Sequence, residues 1–170
     1  MKTKMLALLA LVLLVGISCQ QKVDIDKEKE AILAVINDEK AGYMNRDMEQ
    51  WSKHILQDST FSWLYATSGW CHLSRGFSQH SDLVKEWWAD TTIVNQKFEV
   101  EIMELKIFPE SAWALLKATW HYKDEGEPAQ SVGIETIYFE KAEGEWKIAC
   151  HTVIDTTSYE ETAEKEEVEE

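Results

Sequence analysis

Apolar and polar positions change their spacing several times along the chain, and each change marks an element. From Asp26 onward Ile32, Val35, Ile36, Glu39 and Tyr43 recur at helical intervals on one face, so a helix is predicted, ending near Asn45-Arg46-Asp47. Asp26 is its expected N-cap, with Glu28 and Glu30 favourable in the first turn. A second helix, Met48 to Leu56, is expected behind an Asp47 cap, with Met48, Trp51 and Ile55 on one side.

The spacing then drops to two. Phe61, Trp63 and Tyr65 alternate in a strand unit running to Leu73, with Ser68-Gly69 as its turn or bulge. A third helix, capped by Ser78 or Ser81 and reaching about Asp90, carries Leu83, Val84, Trp87 and Trp88 as its apolar stripe. Lys97 to Phe108 is a long strand whose apolar phase moves from Phe98, Val100 and Ile102 to Met103, Leu105 and Ile107. A one-residue shift of this kind is the signature of a β-bulge. Ala112 to Tyr122 is expected to return antiparallel to it, followed by an exposed loop at Lys123 to Pro128. The last hairpin spans Gln130 to Thr156 and turns at Ala142-Glu143-Gly144-Glu145, where Gly144 can take a positive φ. This order predicts an α+β domain over residues 26–156, with three helices packed on an antiparallel sheet.

The two ends do not fit that pattern. Lys2 and Lys4 precede an apolar run from Met5 to Val15, and small residues lead to Cys19, as in a signal peptide over residues 1–18. Ser18-Cys19 resembles a bacterial lipoprotein signal, in which cleavage before the Cys leaves its thiol to carry the lipid; Gly16 stands where that signal usually has Leu. An ordinary secretory signal or an uncut anchor is the other reading. The lipoprotein reading makes residues 19–25 a tether and places the protein outside the cytoplasm, lipid-anchored to the cell envelope, with the outer membrane as the expected site. Residues 157–170 form an acidic run too polar to bury and are expected to be a solvated tail.

The formal net charge is −14, which repels phosphate backbones and argues against a nucleic-acid partner. Cys71 and Cys150 are read as small buried hydrophobes, with a disulfide as the alternative in an oxidising envelope. The five His show no metal-ligand spacing, no nucleophile motif is present, and no glycine-rich phosphate loop occurs, so neither metal nor cofactor is expected. His151 and Asp155 are too far apart along one strand, about 13 Å, for a direct hydrogen bond. The eight Trp are mainly core material.

The ordered set Tyr43-Met44-Asn45-Arg46-Asp47, Leu56 to Phe61, Arg75-Gly76, Glu135-Thr136 and Gly144 to Ile148 resembles the nuclear-transport-factor-2-like superfamily, which includes SnoaL-like cyclases and ketosteroid isomerases. The resemblance implies a strongly curved sheet forming a cone with a pocket, and an outer sheet face that commonly dimerises. By likeness to the isomerases, Glu39 falls near the oxyanion-binding Tyr and Glu135 near the protonated Asp. The proton-shuttling Asp falls at about Trp63, which cannot take a proton.

Candidate catalytic residues are therefore Glu39 and Glu135, expected to share a proton if both face the cavity, with His121 as a possible base. Surface positions are the alternative for all three. Tyr43, Trp63, Trp87, Trp113 and Trp120 are candidate ligand-binding walls. The leading expectation is a domain that binds a small, partly apolar ligand without transforming it. An isomerase, cyclase or dehydratase and a homodimeric assembly module are the alternatives.

Overall fold

The computed structural model describes residues 24–157. The signal segment, Cys19, most of the expected tether and the tail beyond Thr157 lie outside the described residues. Helix α1 (Ile25–Asn45) begins one residue before the expected cap. Asp24 is the N-cap, its carboxylate accepting from the Lys27 amide at 3.3 Å, and Asp26 sits inside the first turn.

The α1 helix ends at Arg46, which takes the left-handed conformation (φ 54) and donates its amide back to the carbonyls of Gly42 and Tyr43. Helix α2 (Met48–Ser52) starts on the expected Asp47 cap but is shorter than its apolar spacing suggested. Past Ser52 the backbone leaves the helix to bridge to a strand: Ile148 N–H donates to His54 O at 2.7 Å and Leu56 N–H to Ile148 O at 3.0 Å.

The strands are β1 (Ser62–Ala66), β2 (Cys71–Arg75), β3 (Ile93–Ile107), β4 (Ser111–Asp124), β5 (Glu127–Ala142) and β6 (Glu145–Asp155). Helix α3 (Phe77–Ala89) lies between β2 and β3. Its N-cap is Gly76 (φ 80), not Ser78 or Ser81, and no side chain caps it. Gln79 instead reaches back to accept from the Arg75 amide at 2.8 Å.

The sheet order is β2-β1-β6-β5-β4-β3, so both edges are open. The sheet is mixed, which corrects the antiparallel expectation: β1 runs parallel to β6, Trp63 lying beside His151. The expected bulge in β3 falls between Ile102 and Glu104, and lets Phe98, Ile102 and Leu105 all serve the helix-covered side. The expected loop after β4 is instead a tight turn through Glu125 (φ 50) and Gly126 (φ 93), with Asp124 paired to Glu127. The β5–β6 hairpin turns where expected, at Glu143 (φ 55) and Gly144 (φ 84). Cys71 is exposed and Cys150 half-buried, both free, with β1 between their strands. They are neither a disulfide nor core residues.

The core lies between α1 and the middle of the sheet. Ile32, Val35 and Ile36 pack among Ala112, Ala114, Leu116, Ile137 and Phe139, all buried. Trp51 of α2 is fully buried and stands against Phe77, His80 and Trp88 at centroid distances of 6.0, 5.4 and 5.9 Å. Gly42 makes this possible, because a Cβ there would lie 2.3 Å from the Trp51 backbone nitrogen and 2.6 Å from its Cα.

Helix propensity alone favours Ala over Gly by about 1 kcal/mol. The backbone collision at Trp51 outweighs that gain, so Gly42→Ala is expected to destabilise the fold by about 1–3 kcal/mol. The denaturant midpoint in urea measures it, and an increased midpoint would refute the close approach.

Candidate functional site

Between α1, α3 and the inner faces of β1, β4, β5 and β6 the core opens into a cavity of about 110 Å³. Each wall follows from a local rule. In α1, Glu39 and Tyr43 are one helical turn apart and both reach the cavity. On β5, Ser131, Gly133 and Glu135 alternate inward, and on β6 His151, Val153 and Asp155 do the same. Trp63 and Tyr65 enter from β1, stacked at 5.7 Å, and Trp87 from α3 meets Trp63 edge-on at 5.4 Å.

The floor of the cavity is ionic. Lys40 Nζ lies 2.8 Å from Glu135 Oε2 and 3.6 Å from Glu39 Oε2, and His151 Nε2 lies 3.0 Å from the same Glu135 oxygen. Glu39 Oε1 accepts from the Trp51 indole N–H at 3.0 Å. Lys40 also stands over the Phe98 ring at 4.8 Å. All four ionisable groups are under a tenth exposed. A second polar group sits higher in the wall, where Asp155 Oδ2 accepts from Tyr65 and Ser131 hydroxyls, both at 2.9 Å.

Burial alone would push the Glu135 carboxyl up, but the Lys40 ammonium and His151 hold it down at about 2. Burial works against the Lys40 ammonium too, yet the charges of Glu135 and Glu39 raise it above the ordinary lysine range. Burial, with Glu39 nearby, pushes Tyr43 up to about 12 against the opposing pull of Lys40 and Arg46. His80 stacks on Trp63 at 4.6 Å, and burial, with lesser help from His151 and His72, pushes it down to about 3.

Glu39 and Glu135 thus both face the cavity, but a proton shared between them is corrected: an ammonium stands between the two carboxylates, and Glu135 is an anion. Tyr43, Trp63, Trp87 and Trp120 line the cavity as anticipated. Trp113 and His121 do not. They lie on the opposite face of β4, where Lys106 stands over the Trp113 ring and His121 contacts Glu99 at 3.4 Å. Trp113 and Trp120 differ by an odd number of positions, so an unbulged strand sends them to opposite faces.

Sequence reasoning missed Lys40, His151, His80 and Asp155. Lys40 was within reach, since Ile32, Ile36 and Lys40 are successive four-residue steps on the buried face. Among the described residues, no three His, Cys, Asp or Glu side chains form a group that could hold a metal ion.

The cavity adjoins a wider pocket of about 480 Å³, here called its mouth, which shares Tyr43, Tyr65, Trp87 and Trp120 with it and adds Trp70 and Trp88. Arg46 fixes its rim, donating to the carbonyls of Trp88 (2.7 Å), Asp90 (2.9 Å) and Ile93.

Solved structures share this fold. The fold is NTF2-like. An NTF-2-like protein of unknown function from Shewanella oneidensis superposes with a TM-score of 0.60 at 16% identity, over 75% of this chain and 99% of its own. A ketosteroid isomerase-like protein from Erwinia carotovora atroseptica gives 0.61 at 13% identity, over 75% and 95%. An NTF2-like protein from Cytophaga hutchinsonii gives 0.57 at 12%, over 75% and 97%. No protein-family model and no curated protein matches the sequence. At these identities the likeness establishes the fold and leaves the chemistry to the cavity itself.

The ionic floor makes acid stability a test. A carboxyl whose folded pKa is depressed contributes stability above its unfolded value and loses it as pH falls through the folded one. For Glu135 that window runs from its ordinary 4.5 down to about 2. A His held neutral by burial costs stability once the unfolded chain protonates, which for His80 begins below 6.5 and continues to about 3. Thermal unfolding from pH 7 to pH 2 should therefore show a loss that begins below pH 6.5 and steepens below pH 4.5, where the two windows overlap. Glu135→Gln should destabilise at pH 7 by about 3–5 kcal/mol, because Lys40 loses its nearer counter-charge, and should flatten the curve below pH 4.5. An unchanged acid limb in the variant would show that Glu135 is not the buried anion.

Proposed function

We propose that this chain is an exported domain, anchored by a lipid on Cys19, that binds a small, partly apolar molecule in the cavity and releases it unchanged. The observation that carries the reading is the cavity itself, with ring faces on its walls and one cluster of buried charge at its floor. Small-molecule sites are commonly built this way, apolar for affinity with a few polar groups for orientation.

Binding without transformation is supported by the state of three of those polar groups. A general acid or base works best with a pKa near the working pH. Glu135 is held at about 2 and His80 at about 3, while Lys40 is held as an ammonium by two carboxylates. An isomerase, cyclase or dehydratase would need a carboxylic acid poised to exchange its proton, and Glu135, paired to the Lys40 ammonium, is held far from that state.

A ligand that binds only the folded state raises its stability, by about 2.7 kcal/mol at a hundredfold excess over Kd. A broad small-molecule screen by thermal shift is expected to give saturable hits. Ala118, buried at the cavity wall, offers the control, since Ala118→Leu should fill the space and abolish the shifts while the domain stays folded. A screen with no shift at saturating concentrations, or shifts that survive Ala118→Leu, would reject the reading.

The outer sheet face favours a second role, pairing of two copies. Leu73, Tyr138 and Ile154 are among its large exposed apolar side chains, on β2, β5 and β6. Exposed apolar area of this kind marks interaction surfaces. Sedimentation is expected to show a dimer that Ile154→Lys converts to monomer. A monomer at high concentration in the unsubstituted protein would remove this role.

A further inference from the structure

Charge at the cavity wall is unbalanced. Glu39, Glu135 and Asp155 face it against a single lysine. That lysine is committed, at 2.8 Å to Glu135 and 3.6 Å to Glu39. Arg46 at the mouth is committed as well, its guanidinium spent on three backbone carbonyls. An entering anion would meet no free cation among the described residues that line the cavity and its mouth, and would have to break the Lys40 pairs to find one.

The carboxylates, in contrast, have acceptor capacity left. Glu39 is 95% buried, and its Oε2 accepts no hydrogen bond, its nearest charged contact being Lys40 at 3.6 Å. Lys40 and His151 both reach Glu135 through Oε2, which leaves its other oxygen turned away from those two partners. A buried carboxylate oxygen without a donor is costly, and a donor supplied by a ligand recovers that cost. Above the floor, Trp63, Trp87, Phe98 and Trp120 present rings to the same space. These rings offer an apolar wall to the body of a molecule whose charge lies at the floor. The formal charge of −14 adds a long-range field that concentrates cations near the surface.

We propose that the cavity takes an organic ammonium of the arylalkylamine class, its charged nitrogen directed to Glu39 and Glu135 and its apolar body held between Trp63, Trp87 and Trp120. This rests on the cavity being a ligand site. The amine enters as the charged species, and no covalent step is involved.

The test uses three molecules of one shape: phenethylamine, the neutral 2-phenylethanol and the anionic 3-phenylpropionate. Each is titrated into the full chain at pH 7, reading tryptophan fluorescence and calorimetric heat. The amine is expected to bind saturably and at least tenfold more tightly than the alcohol, and the acid not at all. Glu39→Gln, which keeps an oxygen for the Trp51 N–H, should weaken the amine at least tenfold and leave the alcohol unchanged. If that variant fails to fold, Asp155→Asn carries the same comparison, with a smaller loss for the amine and none for the alcohol.

Alcohol or acid binding as tightly as the amine overturns the ammonium assignment and leaves the cavity reading standing. If none of the three binds, the thermal-shift screen decides. A cationic hit there supports the assignment, neutral or anionic hits alone overturn it, and no hit removes the cavity reading and this proposal together.

Discussion

Lys40 holds an ammonium group in a part of the protein that excludes water, 2.8 Å from one carboxylate and 3.6 Å from another. Each ion would cost several kcal/mol to bury alone, so the cluster is tolerable only if its members arrive together. That requirement ties helix α1 to the sheet centre, because Lys40 and Glu39 belong to α1, Glu135 to β5 and His151 to β6. A rotation of α1 by one residue, or a one-residue slip of β5, would leave an uncompensated charge in the core. Apolar packing of Ile32 and Ile36 against Leu116 and Phe139 supplies attraction without direction. The ionic cluster supplies the register.

The same cluster keeps the interior hollow. Close-packed aliphatic side chains would fill the space between α1 and β5 in an ordinary core. The charged groups at the floor bond to one another, and the wall groups Tyr65, Ser131 and Asp155 do the same instead of filling the gap. Alanines at 112, 114 and 118 and glycine at 133 keep the inner faces of β4 and β5 low. Small residues on the sheet and charged residues on the helix therefore act together to leave a cavity.

Much of this was readable from residue order because its signals are local. Helical spacing located α1 and put Glu39 on its inner face, and the apolar phase shift in β3 located the bulge at Ile102/Glu104. Gly144 located the last turn. The errors have equally local causes. Asp24 and Asp26 are both good caps, and only the backbone shows which one the helix uses. Residue type makes Trp113 a candidate for the cavity wall and leaves His121 open between cavity and surface, whereas their parity relative to Trp120 places both on the other face of β4. What no local signal carries is pairing across the chain. Lys40 and Glu135 are 95 positions apart, and β1 meets β6 in parallel only after the whole sheet is formed.

That non-local pairing decides what kind of site this is. Two glutamates alone in an apolar cavity would repel, and one would keep its proton near neutral pH, giving an acid ready for transfer. A lysine placed between them reverses the direction, because its charge holds Glu135 well below the usual carboxylate range and the carboxylates hold the lysine above its own. A fold shared with a ketosteroid isomerase-like protein can therefore hold two carboxylates facing its cavity with a lysine between them. What remains at the floor is fixed charge with spare acceptor oxygens, enclosed by aromatic rings. Fixed charge of that kind discriminates among molecules by their sign and shape.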